Sequence, residues 1–319
     1  HHRSSAASDV YKRQIFGGSY GWASAGRFHH AQSQLHRFLN CIGGYTRSKF
    51  TYSFAAAEAM VPHILGSYRA YLDTCTSWDS IEENTELFVC FGGVPLKNGQ
   101  IAQGGTGSHN QKEKLISSAK AGIRFVNLSP LKSDLLDEVK GKWLPLRPNT
   151  DVAIMLGLAH TLYKENLYSE IFIKKYTEGF DIFLPYLLGD LDGVVKDANW
   201  ASEISEISSD EIISLARDMS SKRTMISVSW SLTRQDHGEQ PFWAAIMLAS
   251  MLGQIGLPGG GFGFGYSATN HIGGQFSIIP GAAFPQSDNK IDNFIPVARI
   301  SDLLLNPGET FHFDGKEYE

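Results

Sequence analysis

Leu87-Phe88-Val89-Cys90-Phe91-Gly92-Gly93 decides how this chain folds. Five apolar residues in a row leave no position to face water, which suits a strand covered on both sides, and the paired glycines end it in a turn. Working outward, residues 112–121 read as a helix, 122–128 as the next strand, and 143–146 as a third strand at a sheet edge. Asn149-Thr150-Asp151 then introduces a helix over 152–164, where Ile154, Met155, Leu158, Leu162 and Tyr163 are spaced for one buried face. Shorter helices over 170–176, 180–188, 198–204 and 209–219 lead to a strand at 224–230 and a long apolar helix at 240–254. This rhythm predicts a parallel α/β sheet with helices on both faces. Ligands on such sheets gather at the carboxyl ends of the strands, which here are the loops after Phe91, Leu128 and Trp230.

Composition narrows the function. The 319 residues are 42% hydrophobic and 19% charged with a net charge of -5, as in a globular chain with one or two sizeable cores and no basic patch for nucleic acid. The longest apolar run, residues 242–252, is too short to cross a bilayer. Cys41, Cys75 and Cys90 stand far apart with no C-x-x-C pair, so they encode no zinc knuckle, iron-sulfur cluster or haem attachment. Residues 1–14 have no apolar period and read as a non-native leader.

Residues 17–66 differ in kind from the rest of the chain. Two glycine-rich turns, Gly17-Gly18-Ser19-Tyr20-Gly21-Trp22 and Gly43-Gly44-Tyr45, flank a helix expected over 27–39 with Phe28, Leu35, Phe38 and Leu39 as its apolar residues. A second, alanine-rich helix comes after Tyr52-Ser53, and Ser53 alone would read as its N-cap. Together, S-Y-G-W, G-R-x-H-x-x-Q, G-G-Y and Y-S-x-x-A-A resemble the molybdenum-binding segment of the dimethyl sulfoxide, trimethylamine N-oxide and biotin sulfoxide reductases. These are members of the bis-molybdopterin guanine dinucleotide superfamily. The resemblance implies that Ser53 is the protein ligand to molybdenum and that Tyr20 and Trp22 line the substrate face. Thr51, Phe54 and His30 depart from the family's usual aspartate, smaller residue and asparagine.

The strand-end loops carry the rest of the resemblance. Pro95-Leu96-Lys97, Ser129-Pro130 and Asn149-Thr150-Asp151 match cofactor motifs, with Asp151 implied to bind guanine. A carboxylate suits that task because guanine offers two parallel N–H donors. Residues 230–240 resemble W-S-x-Q-R-x-x-H-G-E-Q, with Thr233 in place of glutamine, and imply that Trp230, Arg234 and Gln240 contact the cofactor. Residues 253–265 match the family's glycine-rich loop. Taken singly, Asp151 would be a helix cap, Lys97 a solvated charge, Arg234 with Glu239 a surface ion pair, and Gly259-Gly260-Gly261 a turn.

What the resemblance implies is a truncated dimethyl sulfoxide reductase-like fold: a Rossmann-like α/β domain at 67–285 holding one molybdopterin guanine dinucleotide, part of a second α/β domain at 15–66, and the start of a further domain at 286–319. The implied reaction is oxygen-atom transfer from an S-oxide or N-oxide to Mo(IV), with electrons from an external cytochrome or reductase. A fragment of this length is expected to be inactive alone. The implied compartment is the periplasm, or the cytoplasm for a biotin sulfoxide reductase. Tyr20 points to an S-oxide, because relatives preferring trimethylamine N-oxide tend to lack that tyrosine. The alternative is a nucleotide-binding module, either a nicotinamide-dependent dehydrogenase or a non-catalytic domain. Its G-x-G-x-x-G is missing after the first strand, where Val94-Pro95 follows the glycines, and the second strand ends in Leu128-Ser129 without an acidic residue.

Overall fold

The computed structural model describes residues 15–19, 29–102, 107–274 and 284–318. Tyr20, Trp22, Arg27, Phe28 and the opening fourteen residues lie outside them. The chain divides into two compact units, one of residues 1–55, 103–106 and 277–319, the other of 56–102 and 107–276.

In the first unit, β1 (Phe16–Gly17) pairs in parallel with β2 (Thr46–Lys49), and the helix Ala31–Cys41 connects them. The helix starts a few residues later than its sequence pattern suggests and buries Leu39. Phe38, expected on the apolar face, is 59% exposed. The reason is geometric, since neighbouring positions on a helix point about 100° apart and only one can face the sheet.

The second unit is built on β3 (Leu87–Phe91), whose five side chains are all fully buried. At roughly 1.5–3 kcal/mol for each large apolar side chain, this strand is the main hydrophobic anchor of the unit. It lies between β4 (Arg124–Leu128) and β6 (Thr224–Val228). β5 (Lys142–Leu144) and β7 (Gly261–Phe264) form the edges, giving the order β5-β4-β3-β6-β7 with every pairing parallel. Phe88 stacks on Trp78 and meets Phe125 and Tyr266 at ring-centroid distances of 5.2–5.9 Å. Trp78 begins the helix Trp78–Asn84, capped by Ser77, whose hydroxyl accepts from the Ser80 N–H. The helix Asp151–Lys164 packs against Ala198–Ser205, Ser209–Ser221 and Gln240–Leu252.

β7 lies where the sequence reads as loop. Its glycines hide the strand pattern, yet Phe262 and Phe264 supply the apolar contacts, with Tyr71 stacked on Phe262 at 5.0 Å. Residues 294–318, within the stretch 286–319 expected to begin a further domain, fall in the first unit. β8 (Phe294–Pro296) pairs in parallel with β2, and β9 (Phe311–Phe313) forms a hairpin with β10 (Lys316–Tyr318). Asn289 makes the join specific, its Oδ1 accepting from the Tyr45 N–H at 3.2 Å and its Nδ2 donating to the Tyr45 carbonyl at 2.8 Å.

Candidate functional site

The strand order makes the site. In β5-β4-β3-β6-β7 the chain runs from β3 outward through β4 to β5, then returns to the other side of β3 with β6, so the direction reverses between β3 and β6. Ligands bind at such reversals, outside the carboxyl ends of the strands. Because all five strands are parallel, the segments after them share one edge of the sheet. Asp151 follows β5, Ser129 follows β4, Lys97 follows β3, and Trp230, Arg234 and Gln240 follow β6.

Backbone bonds draw these segments together. The Gly92 N–H donates to the Leu128 carbonyl, the Ser229 N–H to that of Phe91 and the Gly265 N–H to that of Val228, each at 2.9 Å. Gly93 has φ +72°, and a Cβ there would stand 2.5 Å from both the Cβ and the carbonyl oxygen of Asp134. That closeness lets the Val94 N–H reach the same carbonyl at 2.8 Å. Gly265 plays the matching part at the far side, since a Cβ on it would lie 2.1 Å from the Trp230 indole nitrogen. Trp230 begins a 3-10 turn, Trp230–Thr233, in which the Thr233 hydroxyl donates to the Trp230 carbonyl at 2.9 Å.

Lys97 and Ser129 meet through a residue that the sequence motifs did not single out. The Ser129 hydroxyl donates to Asp134 Oδ2 at 2.6 Å, and Lys97 Nζ stands 3.9 Å from Oδ1. The Trp143 indole N–H donates to the Ser129 carbonyl at 2.8 Å, bracing the residue from β5. Asp134 went unnoticed because it lies six positions past the strand, where a surface aspartate is ordinary, and no local signal marks the return of its loop.

Asp151 is the first residue of its helix rather than its cap, which is Thr150. It is 2% exposed, and burial pushes its carboxyl up to about 7 from the usual 3.8, opposed by a hydrogen bond from its own backbone. Arg234 is exposed in the loop after the 3-10 turn, and Gln240 is half-buried as the first residue of the helix Gln240–Leu252. His237, part of the same motif, is exposed, 3.8 Å from Glu239.

Ser53 belongs to the first unit. It is exposed in the turn over residues 52–54, ahead of the helix Ala55–Leu65. Phe50, three residues earlier, holds φ +69°, a left-handed conformation rare for an aromatic residue, with its ring set edge-on to Phe313 at 5.9 Å. Backbone strain of this kind gathers near functional turns. Among the described residues no three His, Cys, Asp or Glu side chains group as a metal site, and no helix is long and apolar enough to cross a membrane.

Comparison with known proteins bears on this geometry. Residues 5–311 match the family model described as molybdopterin oxidoreductase, a match that begins inside the opening fourteen residues read as non-native. The chain is 46% identical over 311 residues to a biotin sulfoxide reductase of Cereibacter sphaeroides, covering 98% of this chain and 42% of the relative. It is 42% identical over 313 residues to a dimethyl sulfoxide/trimethylamine N-oxide reductase of Rhodobacter capsulatus, covering 94% and 38%. It is 40% identical over 316 residues to a trimethylamine-N-oxide reductase of Haemophilus influenzae, covering 95% and 38%. The chain thus spans about two-fifths of the length of these relatives.

Proposed function

Since the chain belongs to the molybdopterin oxidoreductase family, we propose that it is part of a molybdenum-dependent S-oxide or N-oxide reductase that takes its pterin cofactor in the guanine dinucleotide form. The observation that carries the nucleotide reading is Asp151, a carboxylate buried to 2% exposure at the carboxyl edge of a parallel sheet. Such a group is costly unless something completes its hydrogen bonding. Guanine does so, presenting two N–H donors side by side to the two carboxylate oxygens.

The neighbouring residues fit the rest of a dinucleotide. The missing side chains at Gly93 and Gly265 let Asp134 and the Trp230 indole close onto this edge and hold their places there. Lys97 supplies a cation for phosphate oxygens, and Ser129, its hydroxyl donated to Asp134, holds that carboxylate in place at the strand end. When bound, the cofactor supplies two-electron oxygen-atom transfer, and the protein positions and polarises. Ser53 would give the metal an oxygen donor, the type a hard, high-valent ion prefers. Tyr20 would donate its O–H to the oxygen in transit, while Trp22 would cover the apolar groups of the substrate. Relatives bear the names of both S-oxide and N-oxide reductases, and Tyr20 favours the S-oxide. We assign the periplasm on the same resemblance, with the cytoplasm as the alternative; the presence of a twin-arginine leader in the complete reading frame decides between them.

The test is a calorimetric titration of the chain with GDP and ADP. The parent should prefer GDP, and Asp151→Asn, which loses one acceptor and gains a donor facing the guanine N–H groups, should abolish that preference. Equal affinity of the parent for both nucleotides would defeat the reading.

A further inference from the structure

The segment after β4 carries a second carboxylate, Asp134, as the segment after the adjacent β5 carries Asp151. We propose that Asp134 accepts the ribose hydroxyls of the bound guanine nucleotide, an assignment that rests on the reading of this edge as a guanine-nucleotide site.

Strand order supports it. Neighbouring strands lie roughly 4.8 Å apart, so β5 and β3 are separated by about 10 Å with β4 midway. Asp151 follows β5, Lys97 follows β3, and Ser129 with Asp134 follows β4. A nucleotide has the same order along its length: base, ribose, phosphate. With guanine at Asp151 and phosphate near Lys97, the ribose falls at the end of β4.

The chemistry at that point suits a diol. An ionised carboxylate has about four lone-pair sites. Ser129 takes one on Oδ2 at 2.6 Å, and Lys97 lies 3.9 Å from Oδ1, which leaves acceptor capacity for two hydroxyls. The Asp134 side chain is 15% exposed, enough to be reached and mostly shielded from competing water. Its backbone is fixed by the Val94 N–H and its Cβ is pressed against Gly93, so little order remains to be gained on binding. In doubly wound sheets an acidic residue at the end of the second strand serves the ribose. Here β4 is that second strand and ends in Leu128-Ser129, but the 129–134 loop returns a carboxylate to the same place.

The experiment titrates the 319-residue chain with GDP and with 2′,3′-dideoxy-GDP, using the parent, Asp134→Ala and Asp134→Asn, and follows thermal unfolding of each. Hydrogen bonds to a carboxylate should make the parent bind GDP about tenfold or more tighter than the dideoxy analogue. Asp134→Ala should bind both alike, near the affinity of the parent for the analogue. The same tenfold preference in Asp134→Ala would overturn the proposal. So would equal weakening toward both ligands, which would mean that Asp134 acts only by positioning Ser129 and Lys97. Should Asp134→Ala unfold, Asp134→Asn decides: it keeps the shape and one acceptor, and its preference for GDP should fall below that of the parent. A parent that binds neither ligand removes the nucleotide site and this inference with it. A parent that distinguishes GDP from ADP but not GDP from its dideoxy analogue removes this inference alone.

Discussion

The hydroxyl of Ser129 and the carboxylate of Asp134, 2.6 Å apart, close the loop after β4 onto itself, and the Asp134 carbonyl then takes the Val94 N–H from the loop after β3. Two adjacent strand ends are thereby tied by one residue. A loop pinned at both its side chain and its backbone presents its remaining lone pairs in a fixed direction, and such preorganisation is what a binding edge needs.

Asp151 should make stability depend on pH. Its folded value, about 7, lies above the ordinary 3.8, so the folded chain holds this proton more tightly than the unfolded chain does. The favourable contribution is complete below about pH 4 and is lost as pH rises through 7, on the order of 4 kcal/mol at 1.36 kcal/mol per pH unit. Asp151→Asn should therefore exceed the parent in stability at pH 8.5 and lose the step between pH 4 and 8. Urea midpoints at both pH values measure it; an identical step in the variant would remove Asp151 as its source.

Gly93→Ala should be costly for two separable reasons. The left-handed backbone penalises any Cβ by about 1–2 kcal/mol, and contact with Asp134 adds an overpacking cost of about 1–3 kcal/mol. Gly179, with φ +84° and open space around it, isolates the first of these. Equilibrium unfolding should rank Gly93→Ala well below Gly179→Ala, and equal losses would show that the crowding at Gly93 relaxes freely.

The cysteines should report the folding of the second unit. Cys41 is exposed, while Cys90 is fully buried on β3, where burial pushes its thiol far above the usual range. The thiolate is the reactive form, so alkylation should label Cys41 quickly and Cys90 only on unfolding, with Cys75, whose thiol is also raised by burial, in between. Peptide mapping after brief exposure to iodoacetamide gives the order, and early labelling of Cys90 would contradict a closed sheet.

Much of this was legible in the chain. The strands at Leu87, Arg124 and Thr224 announce themselves because a central parallel strand is apolar on both faces, and Asn149-Thr150-Asp151 marks the start of the helix Asp151–Lys164 through chemistry local to a few residues. What escaped depends on distant partners. Gly261–Phe264 carries no strand pattern without β6 beside it, and nothing local in Phe294–Pro296 tells that it pairs with Arg47, Ser48 and Lys49. Lys97, Ser129 and Asp151 stood out by motif, whereas Asp134 gains its place only when the loop has closed.

Ser53 and Tyr20 admit a sharper test in the full-length protein. If Ser53 is only the residue ahead of the helix Ala55–Leu65, its replacement by alanine costs about 1 kcal/mol of stability and leaves turnover nearly unchanged. If its oxygen ligates the metal, Ser53→Ala should abolish turnover while part of the pterin-bound molybdenum stays, which metal analysis detects separately from activity. Tyr20→Phe removes a single donor from a water-poor site, worth roughly 3 kcal/mol in the transition state or about a hundredfold in rate. Assayed with dimethyl sulfoxide and trimethylamine N-oxide side by side, the loss should fall more heavily on the S-oxide, because the donor is proposed to favour that substrate. Unchanged rates with both would dismiss the role of Tyr20, and normal turnover in Ser53→Ala would dismiss the ligand.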